Sequence, residues 1–365
     1  MWRSRVGWWA WRARQPASPA AAGTIEIVTD PAAALARAEE IAETVFFPAA
    51  LEVDRSDTIP KSHLDRLAEE GFYGLAGPPE HGGLTSAALA PFSRIVETLA
   101  TGCLATTFVW LQHHGAVRAT AASERPAIRE RWTPALCRGD RRAGVVQAAL
   151  RPGPSSLRAH ERSGGWVFEG DALWVSGWGL VDTFFTAARA VDGDRDDSVV
   201  WALLDADGPL TAYPQELVAA NASRTVAVHF DDVFVPTERV VGVAPLTPTS
   251  PEALRVNGAL ALGVARRCLQ LLEDAGGEFP AELAACRDEM DSAEDVAGAR
   301  AHAADLALRL ASTLVVQQGA RSILRDQHAQ RLLREAAFLL VFGTRAPIQR
   351  ALLDRLTAKP PVGKA

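Results

Sequence analysis

The sequence has little that could cross-link the chain or hold a metal ion. Its 365 residues include four cysteines, eight histidines and two tyrosines. Cys103, Cys137, Cys268 and Cys286 lie far apart, and no pair has the close spacing that zinc or a redox dithiol requires. They read as buried thiols in a reducing compartment, so the expected location is cytoplasmic and no metal site is expected. Excess positive charge is also missing. A formal net charge of −6 offers nothing to a phosphate backbone, which argues against a nucleic-acid partner. No uncharged apolar run approaches the ~18 residues of a membrane span.

What is present suits a globular protein: 48% of residues are hydrophobic and 22% charged, enough to build a core. At roughly 100 to 200 residues per domain, two or three packed units are expected. The start, MWRSRVGWWAWRAR, interleaves tryptophans with arginines. An interfacial anchor can look like this, but a secretory signal cannot, because the arginines interrupt any apolar core. Residues 1–24 read as a disordered extension.

From Asp30, DPAAALARAEEIAETVFF carries an N-cap Asp, a Pro in the first turn and apolar residues at helical spacing. A second helix is expected in IPKSHLDRLAEEGFYGL, opened by Pro60 and closed by Gly71. CLATTFVWLQHHGAVRATAAS is apolar around most of its circumference, as a helix buried among others would be. His113 and His114 fall in it and read as core or pocket-edge histidines rather than metal ligands.

After about Arg142 the pattern changes to period-two alternation with β-branched and aromatic residues, as in SGGWVFEGDALWVSGWG, DSVVWALLDADG and TVAVHFDDVFVP. Val226, Val228 and Phe230 are expected on one face. Ser250 and Pro251 then cap and start another helix, and two further Ala/Leu-rich helical patterns follow, neighbours in an antiparallel bundle. The expected class is α+β, mostly α. It comprises an N-terminal helical domain at 25–142, a central antiparallel β domain at 143–241 and a C-terminal four-helix-type bundle at 242–365.

That order of parts, with the segments LAEEGFYGLAGPPEHGG, ERPAIRERWTPALCRGDRRAGVV, GDALWVSGWGLVDTFFTAA and TVAVHFDDVFVPTERVVG, resembles the acyl-CoA dehydrogenase family over about Asp30 to Leu356. The resemblance implies an FAD flavoprotein that oxidises an acyl-CoA or other acyl thioester. It also implies a homo-oligomer, or a hetero-oligomer with a related subunit, and an electron-transfer partner. Trp174, Val175 and Ser176 match the family's Trp-Ile-Thr, implying an indole packed on the flavin and a hydroxyl at its N5 edge. LRPGPSSL, Leu150 to Leu157, stands where the family has Thr-Glu-Pro-Gly-Ala-Gly-Ser-Asp. Pro152, Gly153 and Ser156 match, whereas Leu150 removes a hydroxyl beside the flavin and Arg151 reverses a charge. Ser156 and Arg255 are the implied contacts to substrate.

The main departure is at the base. Aligned without gaps from Arg334 to Arg350, REAAFLLVFGTRAPIQR puts Gly343 where the family carries its catalytic glutamate, with Phe342 beside it. Glycine cannot accept a proton, although its N–H can bind a carbonyl oxygen. Loss of a general base commonly costs ~10² to 10⁴ in rate. Some relatives hold the glutamate on the helix after the β domain, equivalent to about Ala253. Glu252 is one residue away, a rotation of about 100°, and it also suits the helix dipole. The family's Arg-x-x-x-Phe-Gly pyrophosphate stretch is absent. Gln317, Gln318 and Gly319 stand at its adenosine turn, with Arg321 as a substitute phosphate partner.

Three functions are compatible with this pattern. They are a dehydrogenase-like flavoprotein with its base displaced or lost, a flavin monooxygenase or oxidase on the same fold using His113 or His114, and a non-catalytic subunit that completes a partner's site.

Overall fold

The computed structural model describes residues 29–85, 89–151, 153, 155–191, 198–247, 250–273 and 277–358. The expectation for residues 1–24 and the match at Pro152 lie outside them.

Asp30 opens the first helix by accepting the Ala33 N–H at 2.8 Å, with Pro31 supplying a preset φ at the first position. Helix α1 (Pro31–Ile41) runs through a π turn into α2 (Phe47–Arg55). Then follow α3 (Lys61–Glu69), α4 (Leu89–Gly102), α5 (Leu104–Ala121) and α6 (Pro126–Cys137). Phe108, Trp110, His113, His114 and Val117 of α5 are all buried, as its apolar circumference predicts.

The middle of the chain forms β1 (Ala143–Val146), β2 (Leu157–Arg162), β3 (Gly165–Val175), β4 (Thr183–Ala190), β5 (Ser198–Asp205), β6 (Leu210–Pro214), β7 (Val226–Pro236) and β8 (Val240–Pro245). They make one sheet in the order β6-β7-β3-β2-β4-β5-β8. Most neighbours are antiparallel, but β1 and β2 both pair with β4 in parallel, at Ala143–Thr183 and Arg158–Arg189. The central domain is thus antiparallel-rich, as expected, with two parallel pairings at one edge of β4. Two short strands share one edge of β4 end to end, and neither alternates long enough to be visible in the sequence. Val226, Val228 and Phe230 are buried together, as their period-two spacing requires.

Ser250 accepts the Ala253 N–H at 3.2 Å and starts α7 (Pro251–Leu271). It is followed by α8 (Phe279–Ser292), α9 (Val296–Gln318), α10 (His328–Val341) and α11 (Ala346–Thr357). The helices before and after the sheet share one continuous core, from Ala34 through Ile95, Leu260 and Leu306 to Leu339. Their closest crossing is at Gly263 of α7, where an added Cβ would stand 2.4 Å from the Glu97 carbonyl of α4. Any larger residue there would push the two halves apart.

Candidate functional site

The end of β3 departs from ladder geometry. Its register with β7 slips between Ala172, opposite Val228, and Val175, opposite Val226, so the strand bulges at Leu173 and Trp174. Trp174 takes φ +63, a left-handed conformation that costs a bulky residue ~1–2 kcal/mol. Yet its side chain is 54% exposed. A strained, exposed indole on a bulge gains nothing from the core and presents a flat apolar face outward. Two residues on, the chain turns inward. Ser176 is buried, its Oγ 2.7 Å from Thr225 Oγ1, which lies 2.8 Å from Ser223 Oγ. Three hydroxyls carry three protons and use two in these bonds, which leaves one for a further acceptor.

Helix α5 connects this strand end to the bundle. An added Cβ on Gly177 would lie 3.6 Å from Val109 of α5. The neighbouring Phe108 meets Phe342 edge to face at 4.9 Å and Phe338 at 5.5 Å. The ends of β3 and α10 therefore abut the same turn of α5.

Gly343 follows directly, at φ +63. A Cβ built there would stand 3.5 Å from Asn257 Nδ2 of α7. Asn257 is half-buried. Ala253 lies one turn earlier on the same face. Glu252, five residues before Asn257, is rotated about 140° from it and is exposed. The N–H of its own residue and the Ser250 hydroxyl hold the Glu252 carboxyl below its usual range. It sits in the first turn of the helix that Ser250 caps, and the lowered pKa makes it a poorer base.

Cations gather around Gly343 instead. Arg300 of α9 is buried and directs Nη2 to the carbonyls of Leu339 at 3.0 Å and Phe342 at 3.4 Å. Its Nη1 has no partner, and burial pushes the guanidinium down to about 10. Arg345 is half-buried and, among the described residues, bonds only the carbonyls of Gly343 and Thr344, at 3.5 and 3.2 Å. Its pKa is lowered by burial and further by the approach of Arg151. Among the described residues no carboxylate pairs with Arg300 or Arg345.

The other expected site residues make contacts of their own. Leu150 packs beside Ala149, Ala187 and Val199. Ser156 is exposed, and its carbonyl accepts the Asp171 N–H at 2.7 Å. Arg255 is committed to the Met290 and Ala293 carbonyls at the end of α8, at 3.0 and 2.7 Å, so a substrate contact would have to displace a helix cap. Gly319 ends α9, and Arg321 is exposed just beyond it. In the chain, the fourteen-residue α10, about 21 Å long, lies between them and Gly343. His113 accepts the Ala143 N–H through Nδ1 at 3.0 Å and reaches the Leu136 carbonyl through Nε2 at 3.1 Å. His114 Nε2 reaches the Phe72 carbonyl at 3.1 Å. Both rings are buried structural links, which removes them as acid or base. All four cysteines are buried and free, and no metal-binding cluster occurs among the described residues. Nor is any described helix long and apolar enough to cross a membrane.

Sequence reasoning missed Asn257, Arg300, Arg345 and the Ser223–Thr225 pair. Asn257 alone left a trace, since it follows Ala253 by four residues on one helical face.

The sequence profile described as "Acyl-CoA dehydrogenase, N-terminal domain" matches residues 30–140. Benzylmalonyl-CoA dehydrogenase of Aromatoleum aromaticum is 29% identical over 240 residues, 61% of each chain. 3-Sulfinopropanoyl-CoA desulfinase of Paraburkholderia xenovorans is 24% identical over 86% of this chain and 92% of its own. Among solved structures, butyryl-CoA dehydrogenase of Megasphaera elsdenii superposes with a TM-score of 0.76 at 17% identity, covering 90% of this chain and 98% of that one. With the helix–sheet–helix order, these likenesses give residues 30–140 as similar to an acyl-CoA dehydrogenase N-terminal domain and the described chain as having the acyl-CoA dehydrogenase fold.

Proposed function

We propose that the chain is an acyl-CoA dehydrogenase-like flavoprotein that binds FAD and an acyl thioester, with the usual proton acceptor lost rather than displaced. The observation that carries this is Trp174, an exposed indole kept in a strained conformation beside a buried hydroxyl chain with one proton to give. A planar ring fits that platform, since stacking on the indole recovers apolar area that the apo chain leaves in water. FAD bound there would supply hydride acceptance from the substrate's β carbon.

The chain's own residues then have limited tasks. Trp174 holds the ring flat. The Ser176–Thr225–Ser223 hydroxyls offer a donor toward its edge. The Gly343 N–H and Asn257 Nδ2 are donors available to an acyl carbonyl, a stabilisation of the kind that lowers the cost of charge developing on oxygen. No described side chain at Gly343 can take the α proton. Glu252 faces elsewhere, and the neighbouring groups are an amide and guanidiniums.

A second reading is favoured by one arrangement. Gly319 and Arg321 precede α10 and Gly343 follows it, a helix about 21 Å long, so they suit a second subunit's cofactor. A chain that binds thioester weakly and supports a partner's site would show this arrangement.

The experiment is an absorbance spectrum of purified protein, then anaerobic mixing with butyryl-CoA and longer acyl-CoAs. Flavin absorbance with slow bleaching supports the first reading. A colourless protein that gains flavin only when co-expressed with an active homologue supports the second. A colourless protein that never takes up flavin overturns both.

A further inference from the structure

Around Gly343 the chain offers donors and positive charge, with no carboxylate among the described residues. Asn257 makes no side-chain hydrogen bond among the described residues, yet its Nδ2 stands 3.5 Å from the Cβ position of Gly343. Arg300 Nη1 is buried and unpartnered. Among the described residues Arg345 bonds two backbone carbonyls of its own turn and no side chain. Part of this is capping: α10 ends here, and its last carbonyls occupy Arg300 Nη2 and one end of Arg345. But the negative end of a helix amounts to about half a charge, and two guanidiniums bring two. Burying a cation without a full counter-charge is expensive, and the usual remedy, a carboxylate, is missing because position 343 is glycine.

We propose that this vacated position is an anion site, filled by the substrate itself: an acyl thioester bearing a second oxyanion, such as a carboxylate, near the carbon that relatives deprotonate. The inference rests on the thioester-binding reading above and adds the substrate class. The glycine provides the room, since its Cβ position is open except toward Asn257. Asn257 provides a directed hydrogen bond, Arg300 adds buried positive charge, and Arg345, half-buried at the rim, provides a planar donor fork matched to a carboxylate. A neutral acyl group of equal length would leave the two guanidiniums without a counter-charge.

The test is calorimetric binding to the purified full-length chain. Succinyl-CoA is compared with butyryl-CoA and glutaryl-CoA with pentanoyl-CoA, pairs that share the charges of CoA and differ only at the acyl end. The acidic member of each pair is expected to bind at least tenfold more tightly, ~1.4 kcal/mol. That preference should vanish in Arg345→Gln, persist in Arg345→Lys, shrink in Asn257→Ala and reverse in Gly343→Glu. Equal or weaker binding of the acids, with the neutral thioesters still bound, overturns the anion site and leaves the thioester reading standing. No binding by any of the four overturns the thioester reading itself.

Discussion

Phe342 meets Phe108 edge to face with ring centroids 4.9 Å apart, so the residue beside the empty base position is locked to the helix that also touches the end of β3. Such a pair contributes ~0.5–1.5 kcal/mol beyond its buried area. It gives Gly343 a fixed address although the residue has no side chain of its own.

A carboxylate restored at that address should act. Gly343→Glu has to accept φ +63, at a cost of ~1 kcal/mol, and would place its stem beside Asn257. We expect anaerobic flavin reduction by butyryl-CoA to accelerate ~10² to 10⁴-fold, with a small fall in Tm. Stopped-flow absorbance measures the first. An unchanged rate in a folded, flavin-loaded variant would mean that Gly343 does not face the reacting carbon.

Glu252→Gln should change almost nothing. The carboxylate is exposed, bonded at its own helix start and about 140° from Asn257 around α7. Flavin reduction in the variant is expected within twofold of the parent. A tenfold loss would restore Glu252 as the base.

Trp174→Gly separates strain from function. Glycine accepts a positive φ freely, so the apo protein is expected to keep or slightly raise its Tm, while flavin affinity falls at least tenfold. Loss of stability with affinity unchanged would make the indole a structural residue. This residue also shows how far the sequence carried. The helix starts at Asp30 and Ser250 and the shared face of Val226, Val228 and Phe230 were legible because local bonds and alternation dictate them. The bulge at Leu173 and Trp174 was not, because it arises from register against β7, more than fifty residues away. Gly343 was legible only by resemblance. Its cation neighbours come from α9 and the turn before α11, and no local pattern in the chain brings those residues together.

Acid should destabilise the fold well above the carboxylate range. Burial holds the His114 ring neutral, its pKa lowered to about 4, with Arg118 adding to the effect, and lowers that of His113 as well. A pKa depressed in the folded state means that the unfolded chain takes protons first. Stability is thus full above pH 6.5 and is lost as pH falls toward 4. For His114 alone the fall from 6.5 to about 4 corresponds to roughly 3 kcal/mol at full protonation. His114→Gln keeps a donor for the Phe72 carbonyl, so thermal unfolding between pH 7 and 4.5 should show a shallower decline than in the parent.

An ion pair buried on both sides predicts an asymmetry. Arg331 and Glu335 sit one turn apart on α10, both buried, with Nη1 2.7 Å from Oε1. Burial raises the Glu335 carboxyl, an effect that Arg331 opposes, and Glu335 Oε2 has no partner. The pair's attraction is therefore set largely against the cost of taking both charges out of water. Removing one partner removes the attraction and leaves the other group's desolvation in place. Glu335→Leu should accordingly lose ~3–5 kcal/mol in urea unfolding, because Arg331 stays buried without its carboxylate. Arg331→Met combined with Glu335→Leu removes both penalties and should recover most of that loss. If the double variant were no more stable than the single, the pair would be contributing net stability, and the apolar neighbours Leu332, Ala336 and Leu339 would not be able to close over the site.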